Sequence, residues 1–338
     1  MKKLIAILLV LVMVAGLVAC TPAQEGEKTI AVIAKGETHA FWQAVKAGAV
    51  KAGEEAGYKV TFQGPTSESE SEVPNQRNMV QTALNNPNVK AIVLATIGTG
   101  FVDELTTAFE KKIPVVEFDS GLYANGADIT EGKDPTIGLV ATDNKKAGAL
   151  VAENFWKYLK DNNIAANGYK VGIIQHDSTA TGIDRAEGFV EKINELAAAD
   201  SITLDIQLEK KQNNAGEYKL ALSSLKEWGA QAIYMTNEGV VNEVYPEVKD
   251  QVDAYKSILF CGFDCGTNQY EWIKDGGATC ALLVGSVAQD SYTIGYESVK
   301  LAIAKLEGKE VKDVGIGGAW YTKENIDDLK DKNVFYMG

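Results

Sequence analysis

Short apolar runs rich in Val and Ile alternate with amphipathic stretches of helical length along almost the whole chain. The apolar runs are Thr29–Ala34, Tyr58–Phe62, Ala91–Ala95, Val115–Phe118, Lys170–Ile174, Ile202–Leu208, Ala232–Met235, Ile258–Phe260 and Ala281–Val284. The helical stretches are Phe41–Ala56, Glu72–Leu84, Phe101–Lys111, Lys145–Leu159, Ile183–Ala198, Tyr218–Trp228 and Tyr292–Leu306. Strands that are apolar on both faces and separated by helices indicate parallel sheets with helices on each side. We therefore predict an α/β fold.

Two doubly wound domains account for these units better than one. About nine strand–helix units exceed one comfortable sheet, and 338 residues fit two domains of the usual size, roughly 100–200 residues each. The chain shows no self-similarity with the period of a solenoid, about 20–50 residues. The segment 121–135 is rich in Gly, Asn and Asp, which predicts a surface loop near a domain boundary.

The N-terminus has the parts of a secretion signal rather than of a folded domain. Lys2 and Lys3 precede the apolar run Leu4–Val14, and Leu17-Val18-Ala19-Cys20 follows. The last four residues resemble the bacterial lipobox, which implies removal of residues 1–19 and a diacylglycerol on the thiol of Cys20. Residues 20–27 would then form a short polar leash. The alternative is an N-terminal membrane anchor helix, for which the apolar run is short.

The acidic composition argues against one class of partner. The chain has 33 Lys and Arg against 46 Asp and Glu, a net charge of −13, whereas nucleic-acid binding needs clustered basic residues. The four Cys are too few for a disulfide scaffold, and no His or Cys spacing is typical of a metal centre. We expect Cys261, Cys265 and Cys280 to be buried as small apolar residues, with a Cys261–Cys280 bridge as the alternative.

Polar and aromatic residues follow many of the predicted strands, at the edge where open parallel sheets bind ligands. They are Lys35, His39, Phe41, Trp42, Asp119, Ser120, Thr142, Asp143, Asn144, His176, Asp177, Asn237, Glu238 and Asp264. Carboxylates and amides form directed hydrogen bonds with hydroxyl groups, and aromatic rings cover the C–H faces of a sugar ring. This combination favours a neutral polyhydroxylated ligand.

Each of these residues also has a purely structural explanation. Asp, Asn and Ser after a strand are common helix N-caps, which is our interpretation of Asp143. Phe41 and Trp42 begin a helix and fit a packed core equally well. His39 and His176 each fit a hydrogen-bonded structural role better than a metal site. The alternating Ser and Glu of 67–71 favour a solvated loop.

A series of short motifs resembles the ribose/galactose-type periplasmic sugar-binding proteins of ABC importers. In order they are Thr38-His39-Ala40-Phe41-Trp42, Ile113–Ser120, Ala141–Asn144, Arg185–Phe189, Thr236-Asn237-Glu238, Gly262-Phe263-Asp264 and Val287–Tyr292. The resemblance extends from about Lys28 to the C-terminus. It implies the type I periplasmic binding protein fold, in which two Rossmann-like lobes with parallel sheets close on the sugar. The lobes would be 28–142 with 287–318 and 143–286 with 319–338, joined by crossovers near Thr142, Ser286 and Trp320.

The resemblance also implies roles for individual residues. Phe41 and Trp42 would flank the sugar ring, and the polar contacts would come from Lys35, His39, Asp119, Thr142, Asn237 and Asp264, with His176, Asp177 and Gln289 as further candidates. Arg185 matches a family residue whose role is structural. Ser120 and Ile183 stand where ribose-type members have Arg, and His176-Asp177 lies near a His and an Asp of glucose/galactose-type members. The resemblance therefore favours a hexose such as glucose over a pentose.

These observations predict a substrate-binding lipoprotein of an ABC sugar importer, which captures a monosaccharide by hinge closure and delivers it to the permease. We expect no enzymatic activity, cofactor or metal, since the chain has neither a Gly-x-Ser-x-Gly elbow nor the Asp-x-Asp-x-Asp-Gly spacing of a calcium loop. The alternative is the same fold binding a nucleoside, an inositol or a furanosyl signal, for uptake or chemoreception. A sugar-responsive repressor would need a basic DNA-binding module where the signal peptide lies. We expect a monomer, anchored through Cys20 to the outer face of a Gram-positive type membrane, or located in a periplasm.

Overall fold

The computed structural model describes residues 27–122, 128–211 and 216–330, with the side chains of 329 and 330 left out. The predicted signal peptide 1–19, the lipidation site Cys20 and residues 20–26 of the leash lie outside the described residues. The same is true of 123–127 in the predicted loop 121–135 and of the chain after 330. In the part that is described, no helix combines the length and the apolar character needed to cross a membrane.

The first of two sheets has six parallel strands. They are β1 (Thr29–Ile33), β2 (Lys59–Gln63), β3 (Val89–Leu94), β4 (Val115–Phe118), β5 (Thr136–Thr142) and β11 (Val314–Ile316), in the spatial order β11-β5-β4-β3-β1-β2. Four helices pack on it: α1 (Ala40–Ala56), α2 (Val73–Asn85), α3 (Val102–Glu110) and α10 (Ser291–Leu306). A short 3-10 helix, Glu70–Glu72, precedes α2. We call this unit the first lobe.

The second sheet repeats this arrangement. Its strands are β6 (Tyr169–Gln175), β7 (Leu204–Lys210), β8 (Ala232–Met235), β9 (Leu259–Phe263), β10 (Leu283–Gln289) and β12 (Gly318–Tyr321), in the order β12-β10-β9-β8-β6-β7. All neighbours are parallel except β12, which is antiparallel to β10. Its helices are α4 (Asn144–Asp161), α5 (Ala180–Ala199), α6 (Glu217–Trp228), α7 (Glu238–Asp250), α8 (Val252–Tyr255), α9 (Thr267–Asp275) and α11 (Ile326–Lys330). This unit is the second lobe.

The apolar character of the strands follows from burial on both faces of each sheet. In β1, Ile30 and Val32 belong to the core formed with α1 and α10, whereas Ala31 and Ile33 belong to the core formed with α2 and α3. Consecutive side chains of a strand point to opposite faces, so a strand covered by helices on both sides is apolar at every position. The predicted α/β fold with two parallel-dominated sheets is confirmed.

The chain passes between the lobes at three places: from β5 to α4, from β10 to α10, and from β11 to β12. The predicted boundary between 286 and 287 falls inside β10, because that strand continues in the second sheet to Gln289, pairing with β12. Similarly, β12 begins at Gly318, one residue before the predicted start of the final segment. The carboxyl end of β10 therefore belongs to the second lobe.

Close packing between two helix pairs depends on glycine. A Cβ on Gly48 of α1 would lie 2.0 Å from a backbone oxygen of α10, and one on Gly295 of α10 would lie 1.9 Å from a backbone oxygen of α1. In the second lobe, a Cβ on Gly148 of α4 would lie 2.2 Å from a backbone oxygen of α5, and one on Gly188 of α5 would lie 2.0 Å from a backbone oxygen of α4. Because no side chain separates the backbones, α1 and α5 have fixed positions, and both carry residues of the cavity described below.

All of the predicted strands and helices are present, with ends that coincide or differ by at most five residues. The prediction omitted β5, β11, β12 and the helices α7, α8, α9 and α11. The strands β11 and β12 have only 3 and 4 residues, β5 contains Gly138, and α7 contains Pro246, so their sequence signals are weak.

Cys261, Cys265 and Cys280 are buried free thiols, as expected, and the alternative of a Cys261–Cys280 bridge is wrong.

Candidate functional site

A cavity of about 330 Å³ lies between the two lobes, at the carboxyl ends of their strands. Both lobes contribute to its walls. The lining residues are Lys35, His39, Phe41, Trp42, Glu68, Ile97, Asp119, His176, Asp177, Thr181, Arg185, Asn237, Glu238, Gly239, Asn242, Asp264 and Gln289. Every predicted binding residue except Thr142 is therefore brought together at one site.

The aromatic wall comes from the start of α1. Phe41 and Trp42 meet edge to face with ring centroids 4.7 Å apart, and Trp42 makes a second edge contact with Phe118 at 6.0 Å. The Trp42 side chain is only 2% exposed, and its Nε1 donates a hydrogen bond to Glu68 Oε1 at 2.7 Å. The pair is thus both core and cavity wall, so the two explanations considered for it do not exclude each other.

Two aspartates occupy the same unusual backbone position, one in each lobe. Asp119 follows Phe118 at the end of β4 with φ of 61°, and Asp264 follows Phe263 at the end of β9 with φ of 72°. L-residues rarely adopt this left-handed conformation, although Asp tolerates it better than most. Such strain is concentrated at functional sites, and here it occurs where both carboxylates line the cavity.

In the first lobe, Asp119 is held by a cation. Lys35 follows β1, and its Nζ lies 2.9 Å from Asp119 Oδ2. The two side chains are nearly buried, with 11% and 13% exposed. A pair of this kind places a donor and acceptors side by side, which is the pattern that a ligand with adjacent hydroxyl groups can use.

In the second lobe, Asp264 is the centre of a buried polar network. Its Oδ2 accepts a hydrogen bond from the Glu238 backbone N–H at 2.9 Å, and its Oδ1 accepts one from Gln289 Nε2 at 2.5 Å. The Nη1 atom of Arg185 lies 3.8 Å from Oδ2. Asp264 is 6% exposed, so its carboxylate is positioned before any ligand binds.

Arg185 has a larger role than the one inferred from the sequence. Its Nε donates to Asn144 Oδ1 at 2.8 Å and its Nη1 donates to the Thr236 carbonyl at 3.0 Å. The guanidinium stacks on Phe263, 3.8 Å from the ring centroid. The residue therefore organises the second lobe, as expected, and it also lines the cavity.

His176 and Asp177 follow β6 as predicted. His176 Nδ1 lies 2.7 Å from Thr236 Oγ1, and burial lowers the pKa of its imidazole to about 4. The ring is therefore neutral at neutral pH. Asp177 Oδ1 accepts hydrogen bonds from the Thr179 backbone N–H and hydroxyl at 3.0 and 2.6 Å, so this carboxylate also shapes the turn before α5.

His39 connects the lobes. Its Nδ1 accepts a hydrogen bond from the Phe41 N–H at 3.2 Å and so caps α1, while its Nε2 lies 3.1 Å from Glu238 Oε2 of the second lobe. This carboxylate is the main cause of a raised pKa for His39. Asn237 caps α7 in the same way, because its Oδ1 accepts from the Val240 N–H at 2.9 Å. The N-termini of α1 and α7 thus face one another across the cavity.

Thr142 does not line the cavity. Its hydroxyl donates to Gln289 Oε1 at 2.6 Å, and Gln289 in turn donates to Asp264. Thr142 therefore acts at the crossover after β5, by orienting a residue that does reach the cavity. Asp143 is the N-cap of α4, accepting from the Lys146 N–H at 3.2 Å, which confirms its predicted role.

Several lining residues were absent from the predicted set: Glu68, Ile97, Thr181, Glu238, Gly239 and Asn242. Glu68 lies in the Ser/Glu run that we interpreted as a solvated loop, and it is exposed there although it reaches Trp42. Glu238 directly follows Asn237, and only its pairing with His39 distinguishes it from an ordinary first-turn acid. Glu238 is one of the polar residues that follow the predicted strands, although it was not among the predicted contacts, and no local pattern identifies Glu68.

Comparison with known proteins agrees with this architecture. The family model described as "Periplasmic binding protein domain" matches residues 30–310. The chain is 24% identical over 319 residues to the ribose import binding protein RbsB of Haemophilus influenzae, covering 92% of this chain and 96% of that protein.

Two solved structures are similar over nearly their full length. One is described as an ABC transporter, LacI family transcriptional regulator from Brachyspira murdochii, with 30% identity, a TM-score of 0.79, and coverage of 92% of this chain and 99% of that one. The other is an ABC transporter solute-binding protein from Agrobacterium vitis with bound D-fucose, with 28% identity, a TM-score of 0.71 and coverage of 91% and 100%. The chain therefore belongs to the periplasmic binding protein family, and its fold is that of the sugar-binding solute-binding proteins of ABC transporters.

Proposed function

We propose that this chain is the extracytoplasmic substrate-binding component of an ABC importer and that it captures one monosaccharide between its lobes. The observation that supports this most strongly is the convergence of an aromatic wall and polar groups from both lobes on one cavity of about 330 Å³. That volume is at the lower end of the range for small-molecule sites, which is about 300–1,000 Å³. It suits a single sugar ring.

The charges around the cavity favour a neutral polyol. Five carboxylates and two permanent cations line it: Glu68, Asp119, Asp177, Glu238 and Asp264 against Lys35 and Arg185. Carboxylates accept hydrogen bonds from hydroxyl groups, and an excess of them repels anionic ligands such as sugar acids or sugar phosphates. One named relative has bound D-fucose and another is a ribose import binding protein, so both hexoses and pentoses are candidate ligands. Our proposal is a hexose.

Capture would proceed by hinge closure and involves no chemical step. Lys35 and Asp119 would bind hydroxyl groups from the first lobe, and Asp264, Asn237 and the groups around them would bind from the second. A ligand that contacts both lobes only when they are together shifts the population toward the closed form. The three crossovers would supply the hinge between residues 28–142 with 290–317 and residues 143–289 with 318–338. The permease would then recognise the closed form.

A thermal-shift screen of the mature chain, residues 20–338, tests the proposal directly. The ligands are hexoses, deoxyhexoses, pentoses, inositols, nucleosides and one sugar phosphate. A ligand at 100 times its Kd stabilises the folded state by about 2.7 kcal/mol, which raises Tm by several degrees. We expect a response to one neutral monosaccharide and none to the phosphate. A response confined to nucleosides or inositols would replace the sugar with that ligand, and a response to the phosphate would contradict the charge argument.

The same proposal places the protein outside the cytoplasm, tethered by a diacylglycerol on Cys20. Membership of the family supports the extracytoplasmic location. The lipid anchor depends on the Leu17-Val18-Ala19-Cys20 motif alone. Mass spectrometry of the protein extracted from membranes, with the Cys20→Ser variant as control, tests it. A mature form of unmodified mass would refute the anchor without affecting the sugar proposal.

A further inference from the structure

A second depression, of about 640 Å³, lies at the opposite edge of the first sheet from the ligand cavity. Its lining combines an apolar floor with a rim of lysines: Lys28, Tyr58, Leu84, Asn85, Asn86, Pro87, Val89, Lys90, Lys111, Lys112, Ile113 and Leu306. We call its four lysines, Lys28, Lys90, Lys111 and Lys112, the basal patch. Lys28 precedes β1, Lys90 lies at the start of β3, and Lys111 and Lys112 precede β4, whereas the ligand cavity lies beyond the other ends of the strands.

The sign of this charge is the reverse of the chain's overall charge. The protein has a net charge of −13, yet none of the described residues that line the basal depression is a carboxylate. Lys28, Lys111 and Lys112 are exposed and Lys90 is half-buried. Lys111 Nζ donates to the Leu84 carbonyl at 2.8 Å and to Asn85 Oδ1 at 3.3 Å, and Lys90 Nζ donates to the Pro87 carbonyl at 2.9 Å. These acceptors are neutral, so the bonds do not compensate the positive charge of either lysine.

The position of the patch relative to the N-terminus suggests what it faces. Lys28 is the residue after the predicted leash 20–27, and Cys20 would carry the lipid. Eight residues extend over at most about 3.6 Å each, so a membrane holding that lipid lies within roughly 30 Å of the patch. A surface with basic residues close to the attachment point of a lipid anchor is attracted to anionic phospholipids, and the attraction acts within a Debye length of about 8 Å.

We propose that the basal patch binds the phosphate headgroups of anionic membrane lipids. In this state the first lobe lies against the membrane, and the ligand cavity and the second lobe lie on the side of the first sheet that is away from the membrane. The acidic remainder of the protein is repelled by the same surface, which fixes the orientation. The inference uses the lipid anchor proposed above as an argument for proximity, but it does not depend on which ligand the cavity binds.

Vesicle sedimentation of the unlipidated mature chain, residues 20–338 with Cys20→Ser, separates headgroup binding from anchoring. The vesicles contain phosphatidylcholine alone or phosphatidylcholine with one-quarter phosphatidylglycerol. We expect binding to the anionic vesicles only, and weaker binding as salt is raised. Each basic residue near such a surface contributes roughly fivefold in affinity. The variant Lys28→Gln/Lys90→Gln/Lys112→Gln should therefore bind at least about tenfold more weakly.

The control has the same change in charge at a different place. Lys46, Lys210 and Lys323 are exposed lysines outside the patch, and their triple substitution by Gln should leave vesicle binding within about twofold. Equal losses in the two triple variants, or no preference for anionic vesicles, would overturn the proposal. Stabilisation of the protein by millimolar glycerol phosphate in solution, lost in the patch variant, would also overturn it, because the depression would then be a site for a free anion. The sugar response in the thermal-shift screen should survive in both variants, which keeps this test independent of the proposed cargo.

Discussion

Replacing Asp264 with Asn is expected to weaken sugar binding and also to lower the free energy of unfolding. The substitution keeps the shape of the side chain, and Asn tolerates the φ of 72° at this position, so the backbone is not strained further. An alanine here would remove the carboxylate and also add backbone strain. The Asn variant therefore isolates the contribution of the charge and of the second acceptor oxygen.

The magnitude follows from the hydrogen bonds that the carboxylate accepts. Glu238 N–H and Gln289 Nε2 donate to its two oxygens at 2.9 and 2.5 Å, and Arg185 lies 3.8 Å away. An amide keeps one acceptor and presents an NH₂ group to the other donor. Hydrogen bonds to charged groups are worth about 1.5–3 kcal/mol against about 0.5–1.5 kcal/mol for neutral ones. The bonds from Glu238 and Gln289 lie within the protein, so their weakening lowers the free energy of unfolding. A sugar hydroxyl that donates to this carboxylate also loses its charged acceptor, and for that contact we expect a loss of about 1–3 kcal/mol in binding, or roughly 5- to 150-fold in Kd.

Isothermal titration calorimetry with the sugar identified by the thermal-shift screen measures this loss, and urea denaturation of the unliganded protein measures the change in stability. Asp200→Asn is the matched control, because Asp200 also lies in the second lobe and pairs with Lys160 but is outside the cavity. Its Kd should stay within about twofold of the wild-type value. An unchanged Kd for Asp264→Asn would show that this carboxylate does not bind the sugar, and our account of the second lobe would be wrong.

Two other substitutions test the contact between the lobes and the packing that supports it. Glu238 raises the pKa of His39, so the attraction between the two side chains is fully present below about pH 6.5 and is lost as the pH rises through the raised pKa. Sugar affinity measured by calorimetry should therefore be higher at pH 6 than at pH 8.5. The variant His39→Asn keeps an N-cap oxygen and should remove this difference. If the variant keeps the same pH dependence, another group is responsible. Gly295→Ala should lower the free energy of unfolding by about 1–3 kcal/mol in urea denaturation, because its Cβ would lie 1.9 Å from the α1 backbone. Gly317→Ala, which meets nothing within 4 Å, is the control, and an equal loss there would contradict the packing argument.

The sequence alone was sufficient to predict the fold class and the sheet edges at which the cavity lies. A strand buried on both faces is apolar at every position, so β1, β3 and β8 stand out as short Val- and Ile-rich runs between helices. The ends of such runs mark the edge of a parallel sheet, and most of the polar residues that follow them, among them Asp119 and Asp264, line the cavity. Hydrophobic periodicity is a local property, and it can therefore be identified from a single sequence.

Only the tertiary structure decided how the lobes meet. Thr142 and Gln289 are 147 positions apart and hydrogen-bond to one another, and His39 pairs with Glu238 across the cavity. In the sequence, Glu68 belongs to a Ser/Glu run typical of a solvated loop, and only the structure shows that Trp42 Nε1 donates a hydrogen bond to it. These contacts depend on the relative placement of two separately folded sheets, which the spacing of residues along the chain does not encode. The sequence identified which residues reach the sheet edges, and the packing of the lobes determined which of them share one cavity.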